Sequence, residues 1–343
     1  MTSKGESEDA PVRVAVDAMG GDHAPKEIVA GAVESVREDG TAILLVGPPE
    51  AVRAELEKHD VSQLPVTVVP SEGPVEESEQ PALALRRRPH ASIAVATNLV
   101  KEGEADAVVS VGSTGATMAA AFFSFGLVKG LERPVLGGPF LGYTPQVITV
   151  DMGINVEARP AQFLDFAAIG VAVARSYAGV PDPTVALLNV GAEESKGTKQ
   201  VREAYELLKN SNFKFIGNVE AHEVIQGKAN VVLCDGFVGN VMLKTAEGLA
   251  EVVAKDVGRQ LLAHLPMEDA QRIGRDLYRK MSVLDSSGGP VLGVNGIAIV
   301  GHGRARASMV RGAIQSAVTM HQTGVINAVK QELAKVHRDV AQV

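Results

Sequence analysis

Residues suited to binding an anion stand directly after several strand-like runs of this chain. The first run, 12–16, ends in a turn with two adjacent glycines, which let the backbone approach a ligand closely. In open α/β sheets, ligands bind just outside the carboxyl ends of the strands, at turns of this kind. The turn therefore predicts a binding site, and its candidate residues are Asp17, Gly20, Gly21, Asp22 and His23.

The same arrangement recurs after later strand-like runs. The turn Gly112–Gly115, with Ser113 and Thr114 between its glycines, opens an apolar helix. Free N–H groups and the dipole at a helix start favour a phosphate, but Ser and Thr are also ordinary helix caps, so a plainly capped helix is the alternative. Lys196, in another such turn, is either a phosphate ligand or a solvated lysine. The other candidates that follow strands are Asp151, Asn155, Asp235, Gly239, Asn240 and His302.

The elements that position these residues alternate between strands and helices. The strand-like runs are 12–16, 42–46, 66–69, 107–111, 147–150, 185–188, 213–216, 231–234 and 297–300. Helical periodicity is found at 28–37, 51–58, 93–101, 163–177, 201–209 and 307–320. This alternation predicts an α/β fold in which a parallel sheet is covered by helices on both faces.

Residues 241–283 depart from the alternation and predict a helical hairpin joined around Leu265-Pro266. We expect its first helix to bury the apolar residues Leu249, Val252, Val253, Val257, Leu261 and Leu262. The second helix carries on one face Arg272, Arg275 and Arg279. Such a hairpin serves packing or dimerisation, or it binds a membrane surface or a partner protein.

Composition excludes several classes of protein. With 343 residues, 45% of them hydrophobic and 22% charged, the chain can bury a large core in one or two domains. A net charge of −8 disfavours a nucleic-acid binder. The single cysteine, Cys234, rules out an intramolecular disulfide, fits a reducing cytoplasm and is expected to be a buried core thiol. Residues 1–10 are polar and predict a disordered tail without a signal peptide, and glycines and prolines in 134–150 exclude a membrane span there.

Several common catalytic motifs are missing from the sequence. The turn Gly301–Arg306 matches a dinucleotide fingerprint only superficially, because no acidic residue follows about 20 positions later on a second strand. No P-loop and no Gly-x-Ser-x-Gly elbow occur, and the histidines lack metal-ligand spacing. We therefore expect neither a cofactor nor a metal. Backbone donors, amides and a lysine remain, which suit phosphate binding and the stabilisation of an oxyanion.

The run 14–25, Val-Ala-Val-Asp-Ala-Met-Gly-Gly-Asp-His-Ala-Pro, resembles the N-terminal signature of bacterial phosphate acyltransferases. These enzymes make acyl phosphate from acyl–acyl carrier protein and inorganic phosphate in phospholipid synthesis. The resemblance spans residues 12 to about 320 and continues through 112–116, 187–191, 215–221 and 234–240. The family commonly has Asn where this chain has Ser113, and small hydroxyl residues where it has Arg304 and Ala305.

The resemblance implies a Rossmann-like three-layer α/β/α fold with a mostly parallel sheet. It also implies a homodimer in the cytoplasm, peripherally associated with the membrane, whose product is used by a membrane glycerol-3-phosphate acyltransferase. We expect a single α/β/α domain over 11–330, with the hairpin protruding, and a C-terminal helix end or tail over 331–343.

The implied reaction is direct attack of phosphate on the acyl thioester, without an acyl-enzyme. We hypothesise that Lys196 neutralises the phosphate, that Gly112–Thr114 donate hydrogen bonds to it, and that Asn240 donates to the developing oxyanion. Asn218 lies in a matched motif and joins the substrate-binding candidates, and the acids of the first turn orient phosphate or the loops. The strand-end turns are expected to gather into one phosphate pocket.

An acidic carrier protein needs a local cationic patch on this acidic chain. One candidate is Arg86, Arg87 and Arg88, for which a solvated helix start is the alternative, and the other is the arginine face of the hairpin. Two rival functions remain open. One is a phosphotransacetylase-like enzyme that uses acyl-CoA; the other is a non-catalytic scaffold that recruits pathway partners to the membrane, for which polar strand-end turns have no use.

Overall fold

The computed structural model describes residues 10–281 and 287–340. The chain forms two compact units: unit 1 is Met1–Phe125 with Gly296–Gln322, and unit 2 is Gly126–Asn295 with Thr323–Val343. The tail expected at 1–10 lies, apart from residue 10, outside the described residues. A single domain over 11–330 stays a prediction. Residues 331–340 belong to the last helix, and the helix end or tail expected over 331–343 also stays a prediction.

Strands and helices alternate along most of the chain. The strands are β1 (Arg13–Asp17), β2 (Ala42–Gly47), β3 (Val66–Pro70), β4 (Ala107–Ser110), β5 (Val135–Pro139), β6 (Ile148–Val150), β7 (Val185–Leu188), β8 (Phe215–Val219), β9 (Val231–Leu233), β10 (Gly289–Leu292) and β11 (Ile297–Val300). The helices are α1 (Lys26–Asp39), α2 (Pro49–Leu56), α3 (Pro81–Arg87), α4 (Ser92–Lys101), α5 (Thr114–Phe125), α6 (Gln162–Ser176), α7 (Lys199–Lys209), α8 (Ala221–Ile225), α9 (Gly236–Leu261), α10 (Met267–Met281), α11 (Ala307–Gln322) and α12 (Val325–Val340).

Unit 1 contains a parallel sheet in the order β3-β2-β1-β4-β11. Its central strands are apolar and almost wholly buried, as expected where helices such as α4 and α11 pack against them. Because β1, β4 and β11 are parallel neighbours, the turns after them meet at one edge of the sheet. Those turns are the ones that begin at Asp17, Val111 and Gly301.

Unit 2 contains strands in the order β10-β5-β6-β9-β7-β8. Strands β6, β9, β7 and β8 are parallel, whereas β5 pairs antiparallel with both β10 and β6. The carboxyl ends of the four parallel strands therefore share one edge. The turns that begin at Asp151, Asn189, Glu220 and Cys234 lie along this edge.

Every strand expected from the sequence is present, and the mostly parallel α/β architecture is confirmed. The strand expected at 213–216 begins two residues later, at Phe215. Strands β5 and β10 were not expected, because β5 contains two glycines and a proline and β10 begins Gly-Pro, residues that usually interrupt strands. Both belong to antiparallel pairs.

The hairpin consists of two helices joined around Pro266, as expected, although α9 begins at Gly236 rather than at 241. Residues 282 and 283 lie outside the described part of the chain. No helix of the described residues is long and apolar enough to cross a bilayer.

The burial expected on the first helix of the hairpin is wrong for three of its residues. Leu249, Val252 and Leu262 are 55%, 66% and 48% exposed. The reason is that α9 and α10 approach closely through small residues: a Cβ on Gly274 would lie 3.3 Å from the carbonyl oxygen of Ala254. Because small residues form the contact between the two helices, these large apolar side chains of α9 point to solvent.

Candidate functional site

The turn after β1 is held by the buried carboxylate of Asp17. The Ser110 hydroxyl donates to Asp17 Oδ2 at 2.8 Å, and the Met19 N–H donates to Asp17 Oδ1 at 3.2 Å. Ser110 Oγ in turn accepts from the Gly112 N–H at 3.1 Å. A chain of hydrogen bonds thus joins the ends of the neighbouring strands β1 and β4.

Glycine is required where the turns of unit 1 cross. A Cβ on Gly20 would lie 2.7 Å from the Gly112 nitrogen. One on Gly21, whose φ is +93°, would lie 2.9 Å from the carbonyl oxygen of Gly303. The Asp22 N–H donates to that same carbonyl at 2.8 Å. The three strand-end turns of unit 1 therefore form one tightly packed cluster.

A cavity of about 220 Å³ lies over this cluster. Asp17, Asp22, Glu76 and Glu77 line it together with Gly20, Gly21, Gly112, Ser113, Thr117 and Gly303. Among the described residues that line it there is no lysine or arginine. Four acidic side chains repel phosphate, so Asp17 and Asp22 suit the orientation of the turns better than contact with an anion.

The start of α5 is capped by its own sequence. Ser113 Oγ accepts from the Ala116 N–H at 3.3 Å, and the Ser113 carbonyl oxygen accepts from the Thr117 hydroxyl and N–H. The capped-helix interpretation of this turn is therefore correct as local structure. The exposed Thr114 begins the helix, and Gly115 lies against Pro81.

The two histidine candidates of unit 1 take part in its turns through their backbone. The His23 carbonyl oxygen accepts from the Glu27 N–H at 3.1 Å, and the His302 carbonyl oxygen accepts from the Ala305 N–H at 2.9 Å. Glu27 Oε2 also accepts from the Ala307 N–H at the start of α11. Both histidines are partly exposed at the edge where the turns meet.

In unit 2, the carboxylate of Asp151 is fully buried and accepts five hydrogen bonds. Its Oδ1 accepts from the N–H groups of Leu136, Gly153 and Ile154 at 3.1–3.2 Å. Its Oδ2 accepts from the Asn155 N–H at 2.7 Å and from Asn155 Nδ2 at 2.8 Å. Burial raises the pKa of the Asp151 carboxyl, and these hydrogen bonds oppose the rise. With both oxygens occupied, Asp151 shapes the turn after β6.

The start of α9 packs directly onto this turn. The Gly236 N–H donates to the Asn155 carbonyl oxygen at 2.7 Å. A Cβ on Gly239 would lie 1.9 Å from the carbonyl oxygen of Asp151, so only glycine fits there. Asp235 caps the helix by accepting from the Val238 N–H at 2.8 Å. Its carboxylate is therefore used locally.

Asn240 stands on the first turns of α9 with its side chain exposed. Its amide lies beside Gly153: a Cβ there would be 3.6 Å from Asn240 Oδ1. Asn155, predicted with it, is buried, and Asn155 Oδ1 has no partner among the described residues. The structure thus brings Asp151, Asn155, Gly239 and Asn240 together.

The loop after β7 presents Lys196. The Asn189 amide donates to the Lys196 carbonyl oxygen at 3.1 Å, and Gly197, with φ +92°, lies against the same amide. Thr198 caps α7 by accepting from the Val201 N–H. The Lys196 side chain is exposed, and its ammonium group has no hydrogen-bond or ion-pair partner in the part of the chain that the structure describes.

Sequence reasoning missed the groups that fasten this loop. Glu194 accepts from the Tyr205 hydroxyl at 3.0 Å and pairs with Lys209 at 3.0 Å, which ties the loop to α7. The predicted Asn218 donates through Nδ2 to the Glu193 carbonyl oxygen at 2.9 Å, and its buried Oδ1 has no partner among the described residues. Each of these contacts joins residues more than ten positions apart, so no local sequence motif predicts them.

The first cationic patch differs from its expectation. Arg86 and Arg87 are solvated, as the alternative has it, but they lie in the last turn of α3 and not at a helix start. Arg88 donates to the Pro74 carbonyl oxygen and pairs with Glu79, and is therefore not available to a partner. On α10, three exposed arginines remain, Arg272, Arg275 and Arg279, of which Arg272 pairs with Asp269.

Cys234 is buried beneath the start of α9, as expected. Its thiol donates to the Asp151 carbonyl oxygen at 3.3 Å, and burial raises the pKa of the thiol well above its ordinary value. Within residues 10–281 and 287–340, no three His, Cys, Asp or Glu side chains group together as metal ligands. The exposed polar groups at the edge of unit 2 include the Asn240 amide and the Lys196 ammonium, and the carboxylates of Glu193 and Glu194 are exposed in the same loop as Lys196.

The sequence matches known proteins over nearly its whole length. A family model described as "Fatty acid synthesis protein" matches residues 12–328. Phosphate acyltransferase from Desulforamulus reducens is 40% identical over 326 residues, which cover 94% of this chain and 97% of the relative. Phosphate acyltransferase from Syntrophomonas wolfei is 41% identical over 328 residues, which cover 95% and 99%. The chain belongs to the phosphate acyltransferase family. The predicted family and the prediction of an acyltransferase enzyme are confirmed.

Solved structures of phosphotransacetylases share the fold. The EutD phosphotransacetylase from Staphylococcus aureus superposes with a TM-score of 0.57 at 19% identity, covering 91% of this chain and 94% of that one. A phosphotransacetylase from Streptococcus pyogenes gives 0.58 at 18% identity, covering 94% of each chain. At this identity the likeness shows the fold alone, and it confirms the predicted α/β class.

The buried Asp17 gives the protein a testable dependence on pH. Burial raises the pKa of the Asp17 carboxyl above its ordinary value of 3.8, and the hydrogen bonds it accepts oppose that rise only in part. The folded state thus binds this proton more tightly than the unfolded state does. The stabilisation of the folded state by this bound proton is complete below pH 3.8 and is lost as the pH rises through the folded-state pKa of Asp17.

We therefore expect the free energy of unfolding of the wild type, relative to Asp17→Asn, to fall as the pH rises from below 3.8. The asparagine keeps an acceptor for Met19 and does not titrate. Urea denaturation of both proteins at several pH values measures the difference. A difference that grows in favour of the wild type with rising pH contradicts the assignment.

Proposed function

We propose that this protein transfers an acyl group from the thioester of acyl–acyl carrier protein to inorganic phosphate, an early step of phospholipid synthesis. A phosphate oxygen attacks the thioester carbonyl carbon, the carbon–sulfur bond breaks, and the proton of hydrogen phosphate passes to the departing thiolate. The products are acyl phosphate and the free carrier thiol. The observation that carries this proposal is the unpaired ammonium of Lys196 at the edge of unit 2 that also holds the exposed amide of Asn240.

Lys196 supplies the positive charge that phosphate binding requires. Its loop is rigid on both sides, since Asn189 accepts and donates within it and Glu194 is held by Tyr205 and Lys209. A cation without a carboxylate partner gains more from an incoming dianion than one that is already paired. In unit 1, the Gly112 N–H is already donated to Ser110 Oγ, so only the backbone N–H groups of Ser113 and Thr114 are proposed to bind an anionic group of the substrate.

Asn240 donates its amide hydrogen to the oxygen of the thioester carbonyl as it becomes negative. Such a donor acts only if its position is fixed before the reaction. Gly239 against Asp151, and Gly236 against Asn155, fix the backbone on which Asn240 stands. Asp151 is thereby a positioning residue in this proposal.

Transfer proceeds directly, without an acyl-enzyme. The single cysteine is buried and its raised pKa keeps it a neutral thiol, which is a poor nucleophile. Phosphate itself is a competent nucleophile once it is held beside the thioester. The serine candidate Ser113 has its hydroxyl engaged as a helix cap.

The exposed apolar residues of the hairpin support a homodimer and peripheral attachment to the cytoplasmic membrane face. Leu249 and Val252 lie outward along α9 and suit a second copy, while Leu262, Leu265 and Met267 cluster around the connection between the helices and suit a lipid surface. Attachment would deliver acyl phosphate to a membrane glycerol-3-phosphate acyltransferase.

The direct test is incubation of the protein with acyl–acyl carrier protein and radiolabelled phosphate, followed by detection of labelled acyl phosphate. The same assay with acyl-CoA distinguishes the carrier-protein enzyme from a phosphotransacetylase-like one. We expect label from the carrier-protein donor at a much higher kcat/KM. Preference for acyl-CoA supports the rival, and no label from either donor contradicts the proposal.

Removing the two proposed groups should affect different kinetic constants. Asn240→Ala should lower kcat by about 10²–10³, because it removes an oxyanion donor, with little change in the KM for phosphate. Lys196→Ala should raise the KM for phosphate about tenfold, because it removes a charge-assisted contact. Steady-state kinetics with varied phosphate measure both.

Matched controls exist for each variant. Asn327→Ala removes an exposed asparagine from the first turn of α12, and Lys199→Ala removes an exposed lysine from α7. Both should behave like the wild type. Near-normal kcat in Asn240→Ala, or an unchanged phosphate KM in Lys196→Ala, refutes the role given to that residue.

Carrier docking is proposed to use Arg86 and Arg87, or the arginine face of α10, because the carrier is acidic. We expect charge reversal to raise the KM for the carrier protein severalfold and to leave the phosphate KM and kcat unchanged. The two variants are Arg86→Glu/Arg87→Glu and the triple reversal at Arg272, Arg275 and Arg279. Arg37→Glu/Arg53→Glu, a reversal of two exposed arginines elsewhere in unit 1, is the control. If charge reversal at neither patch changes the KM for the carrier protein, the docking surface lies elsewhere.

A further inference from the structure

Unit 2 contains a large cavity that the proposed reaction does not use. It has a volume of about 720 Å³ and lies between α6, α7 and α12. Its apolar walls are formed by Leu164, Val171, Leu207, Phe213 and Val336. Cavities of this size and apolar character are typical of small-molecule binding sites.

The cavity is at the opposite edge of the parallel strands from Lys196. Asp182 and Pro183 line it just before β7 begins, and Phe213 and Lys214 line it just before β8 begins. Lys196, in contrast, follows the carboxyl end of β7. A ligand in this cavity would therefore occupy a second site, separate from the one proposed for transfer.

The edge of the cavity carries a cluster of ion pairs in which two cations share one carboxylate. Arg175 and Lys335 each pair with Glu332, both at 2.7 Å, so two cations share one carboxylate. Lys214 pairs with Asp182, which also interacts with Arg175. The cluster thus holds three cations and two anions.

Glu206 on α7 is a third acid of the lining, so the whole lining holds three cations and three anions, and the excess is confined to Arg175 and Lys335, which share Glu332. An apolar interior beside two cations that share one carboxylate is complementary to an anion on an apolar chain.

We propose that this cavity binds a long-chain acyl anion, with the chain between α6 and α7 and the anionic head at Arg175 and Lys335. The chemical class of the chain rests on the proposed function, in which acyl groups are transferred. Two sources share this chemistry, a fatty acid and the acyl phosphate product, and separate ligands distinguish them.

The absence of tryptophan from the sequence permits a specific reporter. Phe213→Trp places a single tryptophan in the cavity wall, and Tyr143→Trp places one at an exposed position of unit 2 outside the cavity as a control. Brominated fatty acid, used below its critical micelle concentration, should quench the first and not the second. Equal quenching of both tryptophans, or of neither, overturns the proposal.

Affinity should follow the contacts of the chain and the head. Because each buried methylene contributes about 0.8 kcal/mol, the Kd of saturated carboxylates should fall about fourfold per added carbon until the cavity is filled. The alcohol of equal length should bind more weakly than the carboxylate, and Arg175→Gln should remove that difference. An alkyl phosphate, standing in for acyl phosphate, distinguishes the two sources by its Kd. A Kd independent of chain length overturns the proposal.

A matched pair of substitutions locates the site. Leu207 lines the cavity and is 40% exposed, while Leu83 lies outside it and is 41% exposed, so a glutamine at either should be tolerated. In the Phe213→Trp protein, Leu207→Gln should weaken binding at least tenfold and Leu83→Gln should not. Equal effects of the two substitutions overturn the proposal, and circular dichroism verifies that both proteins are folded.

The acyl-phosphate assay separates this inference from the proposed function. If the wild type makes acyl phosphate and the cavity binds no acyl anion, the second site fails and the transfer activity stands. If the cavity binds acyl anions and no acyl phosphate forms, the transfer proposal fails and the site stands. Leu207→Gln should leave the basal rate unchanged, because Leu207 is outside the proposed transfer machinery.

Discussion

The buried carboxylate of Asp151 is the interaction on which the candidate site depends. Five donors converge on its two oxygens and fold the turn after β6 around it. The carbonyl oxygen of the same residue forms the floor onto which Gly239 packs, with no room for a side chain. The start of α9, and with it Asn240, is therefore positioned by one acidic residue that faces inward.

Unit 1 uses the same device with different partners. Asp17 is buried at the end of β1 and accepts from Ser110 and Met19, while glycines allow the neighbouring turns to cross. In both units burial raises the pKa of the strand-end carboxyl. Asp17 and Asp151 thus act inside the fold, whereas the Lys196 ammonium and the Asn240 amide are exposed at the edge of unit 2. Turning the carboxylates of Asp17 and Asp151 inward removes two negative charges from the surface of the proposed anion site.

The sequence predicted the fold and the positions of the candidate residues better than their contacts. Strands β1, β4, β6, β7, β9 and β11 are apolar runs bounded by glycine and polar residues, so both the strands and the turns after them were recognisable. The roles of Asp151 and Asp235 were not, because a carboxylate after a strand looks the same whether it faces substrate or caps its own turn. The sequence did not predict the contacts among Glu194, Tyr205 and Lys209, because they depend on how a loop folds back on α7. The outward face of α9 was misjudged for a related reason: small residues, not the large apolar ones, form the contact with α10.

The most direct measurement compares two glycines of α9, Gly239 and Gly248. A Cβ at Gly239 meets the Asp151 carbonyl oxygen at 1.9 Å, whereas a Cβ at Gly248 meets nothing within 4 Å. If the Asp151 turn positions Asn240, folded Gly239→Ala should lose acyl-phosphate formation by about 10²–10³, the loss typical of an oxyanion donor, and Gly248→Ala should retain the wild-type rate. A folded Gly239→Ala protein as active as Gly248→Ala would contradict the account.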